Sequence, residues 1–553
     1  MFVIAARAFV LILCTFTPAL ALDEGPGLTP ENVVRLTSVL TFPMEQSGGY
    51  GGAVQAAGGL VFVQTPFPHR IYALDPARPG NPVRWSVAPA SDRMASGQDC
   101  CGTVAGPVLD GSRLYLNTFD GHTLALDAST GAVLWDVQTA QPSQGETLPG
   151  APLVADGTVF VGSGGEDFGG RGWIEALEAG TGRSLWRKFN TGPDGEVGIG
   201  PGGEPDLGVA SWPPEAWRQG GGGASGLAFD AAFGALIHST GHPAPWNPDQ
   251  RDGENRWTSG LFARDAASGA VRWFLPVNPH DQYALGAGPS NLLVDLGARK
   301  LLVHPDGNGR VYVIDRSSGK LLSAAAFVPT NASTGVDLET GLLQRNDGKS
   351  VSVNSTTRDI CPGWPGATGP GAAGFSAATR LLYIPANLLC MDMEGRNTSY
   401  VSGTPYMGAN LRMKAQPGQS RGALIAWDIG ANKAAWTVPE PFPVAGGVLV
   451  TAGGVVFYGT LDGWLKAVDA RSGRSLWQAR TASGIIGTPT AFHGADGRQY
   501  LAVLAGVGGV GRVAWRGIDV RDATAAHGYA NALRDLPQQT TPGGALHLFA
   551  LPP

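Results

Sequence analysis

One pattern recurs along this chain and limits the folds open to it: Ala-x-Asp-x-x-Ser/Thr-Gly-x-x-x-Trp. It reads Ala125-Leu126-Asp127…Gly131…Trp135, then Ala176…Gly182…Trp186 with Glu178 in the acidic slot. Ala263…Asp265…Gly269…Trp273 and Ala467…Asp469…Gly473…Trp477 are close copies. Three copies depart: Ala426…Asp428…Trp436 has Asn432 for the glycine, Val313…Asp315…Gly319 ends in Ser323, and Ala73…Asp75…Trp85 has a longer turn. Each copy predicts a hairpin, with alternating apolar residues on a strand and glycine where the turn needs positive φ. An upstream hairpin such as Gly157–Val161 makes four strands per unit, and a unit of about 50 residues points to a propeller. An eighth unit without the tryptophan is placed at Ala377 to Asn387, around the strand-like Arg380–Ile384. The expected fold is an all-β, eight-bladed β-propeller with tryptophan-docking motifs, closed by pairing Ala545–Leu551 with N-terminal strands. The 82 glycines, 41 prolines and 15% charged residues suit so many turns. Irregular stretches at 192–222, 240–258 and 328–376 are expected to rise from one face over the axis, where propellers bind ligands.

Residues 1–22 read as a signal peptide: Arg7, an apolar run from Phe9 to Phe16, then Ala19-Leu20-Ala21. Leu13 is too bulky for a lipid-attachment box at Cys14. The expectation is a leader over 1–22, then one propeller domain over 23–553, exported to the periplasm. No later stretch is apolar and long enough to span a bilayer. A net charge of −6 excludes nucleic acid and anionic membranes as natural partners. Four cysteines remain, and an oxidising compartment favours two disulfides, most simply Cys100–Cys101 and Cys361–Cys390. A bond between adjacent cysteines closes a strained ring, which persists where the surroundings enforce it, often beside a ligand.

Several segments together carry a family resemblance. They include Asp99-Cys100-Cys101, His242-Pro243-Ala244-Pro245-Trp246-Asn247-Pro248, Pro279-His280-Asp281, Cys390-Met391-Asp392, Leu461-Asp462-Gly463 and Gly506-Val507-Gly508-Gly509. From about Leu28 to Leu551 the chain resembles the quinoprotein alcohol dehydrogenases, the large subunit of methanol dehydrogenase in particular. The resemblance implies a periplasmic propeller that holds pyrroloquinoline quinone (PQQ) and a calcium or lanthanide ion on its axis. Such enzymes pass electrons to a separate cytochrome c, and this sequence has no Cys-x-x-Cys-His for a fused haem. The resemblance places Cys100 and Cys101 flat against the quinone, Asn387 at a cofactor contact, and Asp167 and His242 at two metal-binding positions.

Elsewhere the family's site residues are replaced. Gly51 stands for a glutamate, Gly106 and Gly307 for arginines, Pro149 for a threonine and Ala445 for a tryptophan. Gly223-Ala224-Ser225-Gly226 stands where the quinone's tryptophan floor belongs, and Gly286 where lanthanide enzymes add an aspartate. His242 replaces an asparagine, Asp167 a glutamate, and Ala284 the catalytic aspartate. Losing one partner of a buried charge costs about 3–5 kcal/mol, so these losses together remove many orders of magnitude in affinity and rate. The reading that follows is a non-catalytic propeller with an enlarged, glycine-lined axial pocket that binds a small molecule or a periplasmic protein. Two alternatives stand beside it. One is an active dehydrogenase with a rearranged site, in which Asp281 or Asp167 serves as base. The other is a redesigned metal site on Asp167 and His242, a donor pair that suits a transition metal.

Overall fold

The computed structural model describes residues 27–92, 103–200, 205–415, 419–508, 521–522 and 524–552. Among them are eight four-stranded antiparallel sheets, the blades. The ring closes as expected: Thr37–Pro43 pairs with Ala545–Ala550, Thr41 opposite His547, and Gln499–Ala505 and Thr490–His493 complete that blade.

The repeat works across blades. Gly131, Gly182, Gly269, Gly319 and Gly473 all have positive φ, and a Cβ on each would sit 2.7–2.8 Å from the tryptophan of the preceding blade. Each indole N–H donates to a carbonyl of the next blade, as in Trp135 to Ala179 (3.0 Å) and Trp186 to Ala266 (3.0 Å). The acidic slot holds the turn: Asp127 Oδ1 accepts from the amides of Ser129 and Thr130, both at 2.9 Å. Two departures from the repeat form a pair. Ser323, which replaces a tryptophan, faces Asn432, which replaces a glycine (3.3 Å). Without an indole to receive, the turn tolerates a side chain, and asparagine accepts its φ of 51°.

One expectation is corrected. The segment Ala377–Asn387 is not a separate unit: Leu381–Asn387 pairs with Gly422–Asp428 inside the blade of the Ala426 copy. An insertion between these two neighbours supplies Cys390–Gly395 and Ala409–Lys414, which join the earlier strand Thr357–Ile360 in a separate three-stranded sheet, and it disguises the blade as two. The eighth blade is the closure blade, whose strands come from both ends of the chain and carry no full repeat. No helix among the described residues is long and apolar enough to cross a membrane.

Candidate functional site

Asp167 lies on a single 3-10 turn, Glu166–Phe168, that follows the strand Thr158–Gly162. Glycine before the turn is obligatory, because a Cβ on Gly165 would lie 1.8 Å from the Gly145 carbonyl oxygen. His242 follows the strand Ala235–Thr240 and brings Nε2 to 3.3 Å from Asp167 Oδ1. Its Nδ1 lies 3.1 Å from the Pro243 carbonyl, which can only accept, so Nδ1 holds a proton and the doubly protonated ring satisfies both partners. Burial works against this charge, but Asp167, Glu166 and Asp281 prevail and raise His242 to about 9. Burial likewise pushes the Asp167 carboxyl up, and His242, Trp246 and His527 together hold it below its usual range. Glu166 is raised, chiefly by burial.

Trp246, fully buried, donates its indole N–H to Asp167 Oδ1 at 2.7 Å. Its ring meets Trp364 at 5.3 Å and His527 at 5.2 Å, and Trp364 meets Tyr529 at 5.9 Å. Tyr529 donates its hydroxyl to the Trp364 carbonyl (2.9 Å). Asn387 donates to the Gly366 carbonyl at 2.9 Å and lies 3.5 Å from the Tyr529 hydroxyl, while its Oδ1 accepts from Leu389 N. Asn387 therefore joins the site through the chain's own groups. A disulfide between Cys361 and Cys390 ties the loop that carries Trp364 to the strand Cys390–Gly395. Beside it lies a cavity of about 40 Å³ lined by Val328, Asn387, Leu389 and Gln419.

The remaining expected positions are placed as follows. Asp281 is 3% exposed and accepts from Tyr283 N, Gly286 N and Ser259 Oγ at 2.9, 2.7 and 3.2 Å, which makes it the clamp of its own loop. Ala284 is buried in an apolar cluster with Trp246, Tyr283 and Tyr529, in the left-handed region at φ 52°. Gly307 has room for a Cβ, with no neighbour nearer than 3.6 Å. The glycine lining is partly filled: a Cβ on Gly241 or Gly223 would lie 2.0 or 2.5 Å from an oxygen of Glu166. Cys100 and Cys101, and residues 1–22, lie outside the described residues. Among the described residues no group of three or more His, Cys, Asp or Glu is arranged to hold a metal ion.

Sequence reasoning missed Trp364, His527 and Tyr529. They lie more than a hundred residues from His242 along the chain, in segments without the repeat, and only packing unites them. Trp246 carried a signal, since the His242–Pro248 motif contains it.

Residues 37–200 match the family model described as outer membrane protein assembly factor BamB. Residues 415–501 match the glucose/ethanol/alcohol dehydrogenase β-propeller domain. The chain is 36% identical over 555 residues to a lanthanide-dependent methanol dehydrogenase of Methylacidiphilum fumariolicum, covering 96% of this chain and 90% of the relative. It is 34% identical to methanol dehydrogenase [cytochrome c] subunit 1 of Paracoccus denitrificans, covering 96% and 88%. A solved europium-containing methanol dehydrogenase superposes with a TM-score of 0.92 at 35% identity, covering 96% of this chain and 99% of that one.

Proposed function

The chain belongs to the quinoprotein, PQQ-dependent alcohol dehydrogenase family, and from that premise we propose that it is a non-catalytic, ligand-binding member. It keeps the propeller and works in the periplasm behind the leader at 1–22. The observation that carries this reading is the state of the carboxylates: Asp281 is consumed by its own loop, Asp167 is bonded to His242 and Trp246, and Ala284 offers no base.

Charge supports the same reading. PQQ carries three carboxylates and needs cationic donors. Among the described residues at the site, His242 is committed to Asp167. Arg251 spends its guanidinium on the carbonyls of Pro245, Trp246 and Asp281 and on Asn255. Gly307 presents nothing. These side chains do not fit the quinone in the family's pose, and no step is derived through it. Nor do Asp167 and His242, bonded to one another, present the open hard-oxygen set that calcium or a lanthanide takes.

The test is reconstitution. Purified protein mixed with PQQ and calcium, or with PQQ and a lanthanide, is expected to gain no bound quinone absorbance after desalting and to reduce no dye with methanol or ethanol. Alcohol-dependent dye reduction in that mixture would establish instead the active dehydrogenase that full-length similarity to methanol dehydrogenases favours. Elemental analysis of protein made in the periplasm tests the transition-metal reading of Asp167 and His242. That reading is abandoned if the protein is metal-free.

A further inference from the structure

Resting on the non-catalytic reading, we infer that the axial site binds a small organic ammonium cation with apolar substituents. Three observations lead there.

The first is the carboxylate. Both polar contacts of the Asp167 carboxylate fall on Oδ1: the hydrogen bond from Trp246 Nε1 and the 3.3 Å ion pair with His242 Nε2. No hydrogen bond from a described residue reaches Oδ2, and the side chain is 29% exposed. One oxygen is thus free to meet a ligand. Glu166 and Asp281 add carboxyl groups around the same imidazole, so three acids face one histidine. Arg251, the arginine beside Asp281 among the described residues, is fully buried and turned onto backbone carbonyls.

The second is the set of rings. Trp246, Trp364, His527 and Tyr529 form a contiguous aromatic cluster, with Trp246 and Tyr529 fully buried, Trp364 and His527 half-buried at its accessible edge, and Trp246 bonded directly to the carboxylate. A cation held against aromatic faces is attracted to their negative quadrupole, and desolvation strengthens the attraction. The backbone is forced to deliver His527: Ala526 and His527 have φ of 49° and 55°, a conformation that non-glycine residues adopt at a cost.

The third is the apolar surroundings. Leu285, Met407 and Ala445 are among the partly buried apolar side chains packed against this cluster. Among the described residues no group of three or more His, Cys, Asp or Glu is arranged to hold a metal ion, and a carboxylate oxygen left free beside aromatic and apolar side chains repels anions by charge. It favours a soft cation whose methyl or alkyl groups contact rings. Quaternary and tertiary ammonium compounds are that class.

Choline and its neutral isostere 3,3-dimethylbutan-1-ol, which differ in charge and not in shape, make the discriminating pair. Titration of the full chain, followed by intrinsic tryptophan fluorescence and by calorimetry, is expected to give saturable choline binding at least tenfold tighter than the alcohol. Trp364→Leu and Asp167→Asn are each expected to weaken choline binding at least fivefold while leaving weak alcohol binding unchanged. Circular dichroism and the melting temperature report whether each variant is folded. His527→Leu, at the half-exposed edge, provides a second aromatic variant if Trp364→Leu fails to fold. Equal affinity for the two probes, no binding of either, or unaltered choline binding by folded Trp364 and His527 variants overturns the inference. A positive reconstitution with PQQ overturns the non-catalytic reading itself. Failure of both PQQ and choline to bind overturns only the cation, so the two failures are distinguishable.

Discussion

His547 sits at the seam where the ring closes, and it makes the seam sensitive to acid. It lies on the last strand, opposite Thr41 of the first, 6% exposed, with Nδ1 3.3 Å from Thr41 Oγ1. Its Nε2 is buried and accepts or donates no hydrogen bond among the described residues. Burial depresses the imidazole from 6.5 to about 4. The fold therefore favours the neutral ring. Above the unfolded value both states are neutral and the full stability is present. As pH falls below that value the opened chain takes up a proton first, and stability declines until the folded ring titrates near its own, lower value. A shift of 2.5 units corresponds to about 3 kcal/mol at the acid limit, of which about 2.5 kcal/mol is lost between pH ~7.5 and pH ~4.5. Replacing the ring by leucine removes both the titration and the orphaned nitrogen. His547→Leu is expected to match or exceed the parent by up to about 1 kcal/mol near neutrality. Its seam should also lose about 2.5 kcal/mol less on acidification. Urea unfolding at the two pH values gives the global figure, and hydrogen exchange of peptides spanning 37–43 and 545–550 reads the seam directly. All other groups titrate alike in both proteins, so parallel pH dependence in parent and variant would refute the reasoning.

Three further outcomes follow from packing. Gly182→Ala forces a Cβ to 2.8 Å from Trp135 at φ 74°, and is expected to cost about 2–3 kcal/mol in chemical denaturation, whereas Asn432→Gly, facing Ser323, should change stability by less than about 1 kcal/mol. Arg264 is fully buried, has no carboxylate partner among the described residues, and donates to His238 Nε2, Asn190 Oδ1 and the Val197 and Gly269 carbonyls. Arg264→Met strands these acceptors and should lower stability by about 3 kcal/mol, read from the same denaturation curves. Ala284→Gly relieves a left-handed alanine at φ 52° and should raise the melting temperature, by the equivalent of about 1 kcal/mol.

The fold was largely legible because its signal is local and repeated. A turn of Asp-x-x-Ser/Thr-Gly followed by tryptophan specifies its own hairpin and its contact with the next, so seven copies name seven blades without long-range information. The eighth was misplaced because an insertion splits Leu381–Asn387 from its partner strand Gly422–Asp428, and because the closure blade borrows Thr37–Pro43 from the other end of the chain. The site was legible only as a set of positions. Motifs and family positions named Asp167, His242, Asp281 and Asn387, and only the fold shows that Asp281 accepts from the amides of its own loop and that Asn387 donates to the Gly366 carbonyl.

The sequence by itself determined the number of blades and the pairing of Cys361 with Cys390, because each of these is a property of spacing and identity along the chain. Only the tertiary structure decided which distant side chains meet. Trp246, Trp364, His527 and Tyr529 pack against one another, Glu166 folds against Gly223 and Gly241, and one oxygen of Asp167 remains free of hydrogen bonds from described residues. Contacts of this kind join segments far apart in sequence. Their energies depend on shape and burial, which are set only when all the blades have closed into the ring.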